Sequence, residues 1–115
     1  MIYKINVNGN QSVLNMPAKE SDKIEFITKE VGLPAKSFEL FGYEMYYNEE
    51  EEIEEETLNT VASRLAGIAM YGNVVIVGKD MSPLIDNDIV LVRQEIEARK
   101  HHKINFPPPD HENYY

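Results

Sequence analysis

Seven glutamates stand within eight consecutive residues, and this run is the strongest candidate for function in the sequence. The run covers residues 49–56, is interrupted only by Ile53, and is the acidic segment of this protein. Its acidic members are Glu49, Glu50, Glu51, Glu52, Glu54, Glu55 and Glu56. Three interpretations are open: a solvated loop that leads into a helix, a surface that docks on a basic protein, or a cation site.

The spacing of the glutamates is compatible with docking and partial mimicry of nucleic acid. An extended chain rises about 3.3 Å per residue, close to the roughly 3.4 Å between phosphates along one DNA strand. A negative patch speeds association with a basic partner, and its attraction weakens as salt rises. The cation site is less well supported, because the spaced Asp and Asn ligands and the turn glycine of a calcium loop are missing.

Three tyrosines directly before the acidic segment are candidate anchors for a partner. In a strand, Tyr43 and Tyr47 share one face with Met45, and Tyr46 takes the other face. Tyrosine contributes strongly to interface hot spots, so a partly exposed ring beside the glutamates suits protein binding. The alternative is that these rings are core and edge residues of an ordinary sheet. The predicted partner-binding residues are therefore the seven glutamates and these three tyrosines.

Other chemistry is sparse, and no catalytic residue, metal ligand or cofactor is predicted. The chain has no cysteine, which excludes disulfides and thiolate sites. Adjacent His101 and His102 would point about 100° apart on a helix and are poorly placed to share one ion. Asp86 or Asp88 is predicted to cap a helix rather than to perform acid–base chemistry. A basic cluster near the end of the chain consists of Arg93, Arg99, Lys100 and Lys103. Acidic residues lie among these four, so direct nucleic-acid binding is not predicted.

The 115 residues allow one domain with a modest core. Apolar alternation and turn signals predict strands at about 2–7, 11–16, 38–41 and 43–47, with a type I′ turn at Asn8 and Gly9 joining the first two. The continuous apolar run at 74–77 predicts a central strand buried on both faces.

Helical periodicity predicts two helices before the last element of the chain. The first covers about 18–31 and stops at Gly32. The second is capped by Thr57 and ends at Gly72; its apolar face consists of Leu58, Val61, Leu65 and Ile68.

The last element has two interpretations. Ile89, Val92 and Ile96 form a helical stripe, but 89–92 alone would also suit a strand. The predicted fold is α+β, with a mixed or antiparallel sheet of four to five strands packed with two to three helices. Residues 1–104 are predicted to form the single domain, and 105–115 a flexible, proline-rich tail.

Neither a membrane span nor secretion is predicted. No run of 18 apolar residues occurs, and the N-terminus lacks an apolar signal core. A cytoplasmic location is therefore expected.

The middle of the chain carries a recognisable order of motifs. An acidic stretch is followed by Leu58 and Asn59 at the start of a helix, then by Gly67, and then by the valine-rich run that ends at Gly78. In this order, residues 43–100 resemble a family of uncharacterised domains of phages and other mobile elements. The resemblance implies a protein that acts inside a bacterial host.

Local acidity and this resemblance together predict a non-enzymatic inhibitor. The expected activity is binding to, and inhibition of, a basic, nucleic-acid-handling host defence protein, of the anti-CRISPR or anti-restriction type. The alternative is a non-catalytic small-molecule-binding or accessory domain, which can be oligomeric. A cleft ringed by acids with shifted pKa values would favour that alternative.

Overall fold

The computed structural model describes residues 1–33, 35–48 and 57–106. Five strands form one sheet in the order β2-β1-β5-β4-β3, and every neighbouring pair is antiparallel. The strands are β1 (Ile2–Ile5), β2 (Gln11–Leu14), β3 (Ala35–Leu40), β4 (Tyr43–Asn48) and β5 (Val74–Gly78). The helices are α1 (Glu20–Val31), α2 (Thr60–Ala66) and α3 (Asp86–Ala98). The predicted α+β fold is confirmed, and the sheet is antiparallel.

The central strand β5 divides the core into two halves. Val74 and Ile76 pack on the face that α2 and α3 cover, while Val75 and Val77 pack on the face that α1 covers. All four side chains are completely buried, as the sequence predicted for this run. Burial on both faces explains why the run is continuously apolar rather than alternating.

Helix α1 begins two residues later than predicted, and its buried stripe is rotated. Ile27 and Val31 are buried as expected, but Ile24 is 55% exposed and Lys23 is only 8% exposed. Although Lys23 is almost completely buried, its amine pairs with Glu20 at 2.8 Å. Gly32 ends the helix with φ 89°, as predicted.

The type I′ turn lies in a different hairpin from the one predicted. In the β1–β2 hairpin the Gly9 N–H donates to the Asn6 carbonyl at 2.9 Å, which makes Val7 and Asn8 the central residues. Within the described chain, Asn8 is not among the residues with positive φ, so the prediction for this turn was wrong. Phe41 and Gly42 have φ values of 37° and 91° and join β3 to β4 with a two-residue loop, which is the type I′ arrangement.

The start and the end of α2 both differ from the prediction. Asn59, not Thr57, is the N-cap, and Gly67, not Gly72, is the C-cap. Leu58 lies before the helix and pairs with Tyr71 in an isolated bridge. Ile68 follows the helix and is exposed, so neither Leu58 nor Ile68 belongs to its apolar face.

The last element is a helix, which excludes the strand alternative. The Ile85 N–H donates to Asp88 Oδ2 at 2.8 Å, and Ile89 and Val92 are buried against the core. After α3, Asn105 exchanges backbone hydrogen bonds with Gly67 and Ala69. The remainder of the predicted tail, 107–115, lies outside the described residues. None of the helices in the described ranges has the length and apolar content needed to cross a membrane.

Candidate functional site

The acidic segment lies outside the described residues, but both of its attachment points are well defined. It leaves the domain at Asn48, the last residue of β4, and rejoins it at Thr57. The Thr57 carbonyl accepts a hydrogen bond of 2.7 Å from the Gly72 N–H, and Leu58 pairs with Tyr71. Residues 71 and 72 lead directly into β5, so both attachment points lie at one end of the sheet. The seven predicted glutamates therefore join the domain at this end; their own placement is not described.

The described part of the chain is electrically neutral. It contains eleven acidic and eleven basic residues. The excess of nine acids consists of the seven glutamates of the acidic segment together with Asp110 and Glu112. All of the excess negative charge therefore belongs to the acidic segment and the tail, and the described domain has none.

Basic side chains of the domain largely contact the domain itself. Lys4 pairs with Glu30 at 2.7 Å, and Arg99 donates to the Leu65 carbonyl while lying 5.2 Å from the centre of the Phe41 ring. Lys100 forms an ion pair with Glu97, and Arg93 lies over the Tyr3 ring. Three members of the basic cluster therefore contact other residues of the domain; these are Arg93, Arg99 and Lys100.

The sheet separates the three candidate tyrosines. Tyr43 and Tyr47 pack on the α2/α3 face, and Tyr46 packs on the α1 face, which confirms the predicted alternation. Tyr47 is adjacent to Asn48, where the acidic segment begins, whereas Tyr43 starts β4 at the opposite end. All three rings are partly exposed, but they do not form a single patch.

Tyr43 has a structural partner in α3. Its hydroxyl donates to Asp88 Oδ1 at 2.6 Å and thereby ties β4 to the first turn of that helix. Burial, reinforced by this hydrogen bond and by the Asp88 charge, raises the pKa of Tyr43 to about 12. The Ile85 N–H and then the Tyr43 hydroxyl lower the pKa of Asp88. Burial also raises the pKa of Tyr46, with a further contribution from Glu44.

A cleft of about 600 Å³ lies beside the attachment of the acidic segment. It was not predicted from the sequence. Its lining consists of Lys4, Asn6, Val7, Asn8, Leu58 and Asn73. The pairing of Ile5 with Val74 places Asn6, the residue after β1, next to Asn73, the residue before β5. Amide side chains, rather than acids, therefore dominate its polar wall.

The amides of the cleft differ in their hydrogen bonding. Asn73 Oδ1 accepts from the Val7 N–H at 3.0 Å, and Asn8 Oδ1 accepts from the Asn10 N–H at 2.9 Å. Asn6 Oδ1 is buried, and within the described residues it has no hydrogen-bond partner. A buried acceptor of this kind is uncommon and calls for an explanation.

The walls of the cleft consist of amide, lysine and apolar side chains. Its lining contains no carboxyl group, so the ring of shifted acids that would favour the small-molecule alternative is not found there. Across the described ranges, no three His, Cys, Asp or Glu side chains are grouped so as to hold a metal ion. Neither Asp86 nor Asp88 is the N-cap of α3, which is Ile85, so the capping prediction was wrong in position; the Asp88 carboxylate instead accepts the Ile85 N–H from within the first turn.

No family model, curated protein or solved structure matches this chain. The resemblance of residues 43–100 to a phage domain family therefore stays a prediction, and function must be argued from the charge distribution and the cleft.

Proposed function

We propose that this chain is a small acidic phage or mobile-element protein that binds and inhibits a basic, nucleic-acid-handling host protein. The observation that carries the proposal is the separation of charge. A neutral domain holds a stretch of seven carboxylates by two attachment points at one end of its sheet. The chain would act by occupying a surface on which the host protein otherwise holds nucleic acid.

The number of carboxylates and their position in the chain limit how long a stretch of nucleic acid the protein could mimic. Eight residues span at most about 28 Å, which limits the carboxylates to the length of roughly eight phosphates of one strand. A mimic of a long duplex would need acids spread over a whole face, whereas the described domain is neutral. The proposed inhibitor therefore blocks a short, local part of a nucleic-acid channel. It does so without catalysis and without a cofactor.

The test compares two variants of equal net charge. Each replaces four acids with the corresponding amides and changes the net charge from −9 to −5. The segment variant changes Glu50, Glu52, Glu54 and Glu56. The control variant changes Glu25, Glu39, Asp80 and Asp86, which are exposed and form no ion pair with another described residue.

All three proteins are used as bait for a bacterial lysate at low salt, followed by elution in salt steps and mass spectrometry. Wild type and the control variant should retain the same basic protein, and the segment variant should lose about tenfold or more of that binding, because only the local charge faces the partner. The retained protein must then lose nucleic acid when the wild-type chain is added. Equal retention by both variants, or a partner that keeps its nucleic acid, would refute the proposal.

A further inference from the structure

Strand β3 leaves one edge of the sheet open. It is the last strand in the sheet order, and within the described residues it pairs only with β4. Native proteins protect such edges with short, bulged or proline-containing strands, because an unpaired edge can template pairing with another chain. Strand β3 has none of these three features, since it is six residues long, contains no proline and pairs one-to-one with β4 throughout. The opposite edge strand, β2, is only four residues long.

The hairpin geometry determines which backbone groups of β3 face outward. In a two-residue hairpin the residues that flank the loop exchange backbone hydrogen bonds, which makes Leu40 and Tyr43 a hydrogen-bonded pair. Hydrogen-bonded and non-hydrogen-bonded pairs alternate along antiparallel strands. The N–H and C=O groups of Ala35, Ser37 and Glu39 therefore point away from β4, toward the open edge.

These outward groups are self-complementary about Ser37. If a second copy of β3 runs antiparallel with the two Ser37 residues opposite each other, Ala35 of each copy lies opposite Glu39 of the other. Each such pair exchanges two backbone hydrogen bonds, about six in total, and a shift of two residues in either direction keeps only about four. We infer that the β3 edge forms a twofold-symmetric contact with a second copy of this chain, which joins the two sheets into one.

The side chains that this register brings together do not repel one another. Ser37 pairs with Tyr46 and lies on the α1 face, where the two serines meet and Glu39 meets Ala35. On the α2/α3 face, Lys36 lies opposite Phe38 of the second copy. A lysine stem packs well against an aromatic ring, so neither face of the contact places like charges directly opposite each other.

The same register keeps the two acidic segments apart. Each segment leaves its domain at Asn48, which pairs with Ala35 at one end of β3. The two Asn48 residues are then separated by about four residues along the strands and about three strand spacings across them, or roughly 20 Å. This distance exceeds the Debye length of about 8 Å at physiological salt, so repulsion between the attachment points is screened. Because an edge contact is narrow, the expected dimer is weak and forms at high protein concentration.

The test uses the twofold symmetry of the contact. Ser37 is exposed, so a charged side chain can be introduced there without disturbing the core. In Ser37→Glu, and equally in Ser37→Lys, the two copies present like charges opposite each other, whereas a one-to-one mixture of the two variants presents opposite charges. The controls Ser12→Glu and Ser12→Lys make the same changes at an exposed serine of the other edge strand.

Sedimentation equilibrium over a concentration series measures the dimer. Wild type should dimerise, each Ser37 variant alone should dimerise about fivefold more weakly, and their mixture should regain at least the wild-type affinity. Both Ser12 variants, alone and mixed, should behave as wild type does. Three results would each overturn the inferred contact: a wild type that stays monomeric, Ser37 variants with unchanged association, and a mixture that dimerises no better than either variant alone.

Amide hydrogen exchange of the wild-type chain gives a second test that needs no variant. In the dilute monomer, the amides of Ser37 and Glu39 should exchange faster than those of Phe38 and Leu40, which bond to β4. A higher protein concentration should slow exchange at Ala35, Ser37 and Glu39. If protection appears along β2 instead, or nowhere, β3 is not the contact. Neither measurement involves a host protein, so the outcomes do not depend on the proposed function.

Discussion

Truncation of Asn59 should be among the most destabilising polar substitutions in this protein. Asn59 is fully buried, and its side chain satisfies three backbone groups from different parts of the chain. Its Oδ1 accepts from the Ala62 N–H at 3.1 Å, and its Nδ2 donates to the carbonyls of Ile5 and Gly72 at 3.0 and 2.9 Å. One amide thus joins the start of α2, the end of β1 and the residues that lead into β5.

The expected loss follows from these three bonds. Asn59→Ala removes the N-cap, which costs about 1 kcal/mol. It also leaves two carbonyls without a donor, at about 1–3 kcal/mol each when buried. The sum is about 3–7 kcal/mol, a large share of the roughly 5–15 kcal/mol that stabilises a typical domain. Asn59→Ser keeps an acceptor for the cap but not the two donated bonds, so it should lose about 1 kcal/mol less than the alanine variant.

Urea unfolding followed by far-ultraviolet circular dichroism measures these losses. With a slope of about 1–3 kcal/mol per molar urea, the alanine variant should unfold at a midpoint lower by roughly 2 M. The slope should stay close to that of wild type, because the change affects stability rather than the surface exposed on unfolding. A loss below about 1 kcal/mol for Asn59→Ala, or a serine variant as stable as wild type, would refute the reasoning, since the donated bonds would then contribute nothing.

Two further predictions concern the β3–β4 hairpin and its contact with α3. Gly42→Ala should cost about 1–2 kcal/mol in urea unfolding, because φ is 91° although no atom lies within 4 Å of the added carbon. Gly42→Asn should cost less, and equal losses for the two variants would exclude a conformational cause. Because the pKa of Tyr43 is raised to about 12, the stability linked to its hydroxyl should be complete below about pH 10 and lost as the pH rises toward 12. Ultraviolet titration of the phenols should show that Asp88→Asn lowers this pKa, and an unchanged titration would contradict the assigned hydrogen bond. Since the pKa of Asp88 is lowered, its own contribution should be present above about pH 4 and be lost as the pH falls through the lower folded-state value.

The elements that could be predicted are those whose whole apolar pattern lies within one short segment of the sequence. The run at Val74–Gly78 is apolar at every position except its terminal glycine, and such a run fits a strand covered on both faces. The stripe of Ile89, Val92 and Ile96 has helical spacing and packs against the core, as the helical one of its two interpretations required. In both cases one segment of the chain holds the complete pattern.

The sequence predictions were wrong where two nearby residues or turns carry equally good local signals. Contacts with distant parts of the chain then determine which of them the fold uses. Thr57 and Asn59 are both good N-caps by residue type, and Asn59, whose side chain also bonds to carbonyls of β1 and of the approach to β5, is the one that caps the helix. Asn8 and Gly9 carry the stronger type I′ signature, yet the hairpin that adopts this turn uses Phe41. The Phe41 ring packs at the core and lies 5.7 Å from the Tyr43 ring, edge to face, and these contacts favour a φ value that phenylalanine seldom adopts.

The cleft could not be found from the sequence, because its residues become neighbours only through strand pairing. Asn6 and Asn73 are far apart in the chain and meet because Ile5 pairs with Val74. Leu58 was assigned to a helix face from its spacing, whereas it pairs with Tyr71 and lines the cleft. The sequence does contain one sign of the cleft, an asparagine directly after β1 and another directly before β5. These two residues indicate a shared site only when the pairing register of β1 and β5 is known.

In the proposed function, the acidic segment would supply the long-range attraction to a basic host protein, and short-range contacts would have to supply the selectivity. Attraction between exposed charges extends about 8 Å at physiological salt and has little directionality, so seven glutamates alone would favour many basic surfaces. Such attraction mainly raises the association rate, whereas short-range, desolvated contacts determine how long a complex lasts. Because the described domain is formally neutral, the proposal places the long-range attraction at the end of the sheet where the segment is attached.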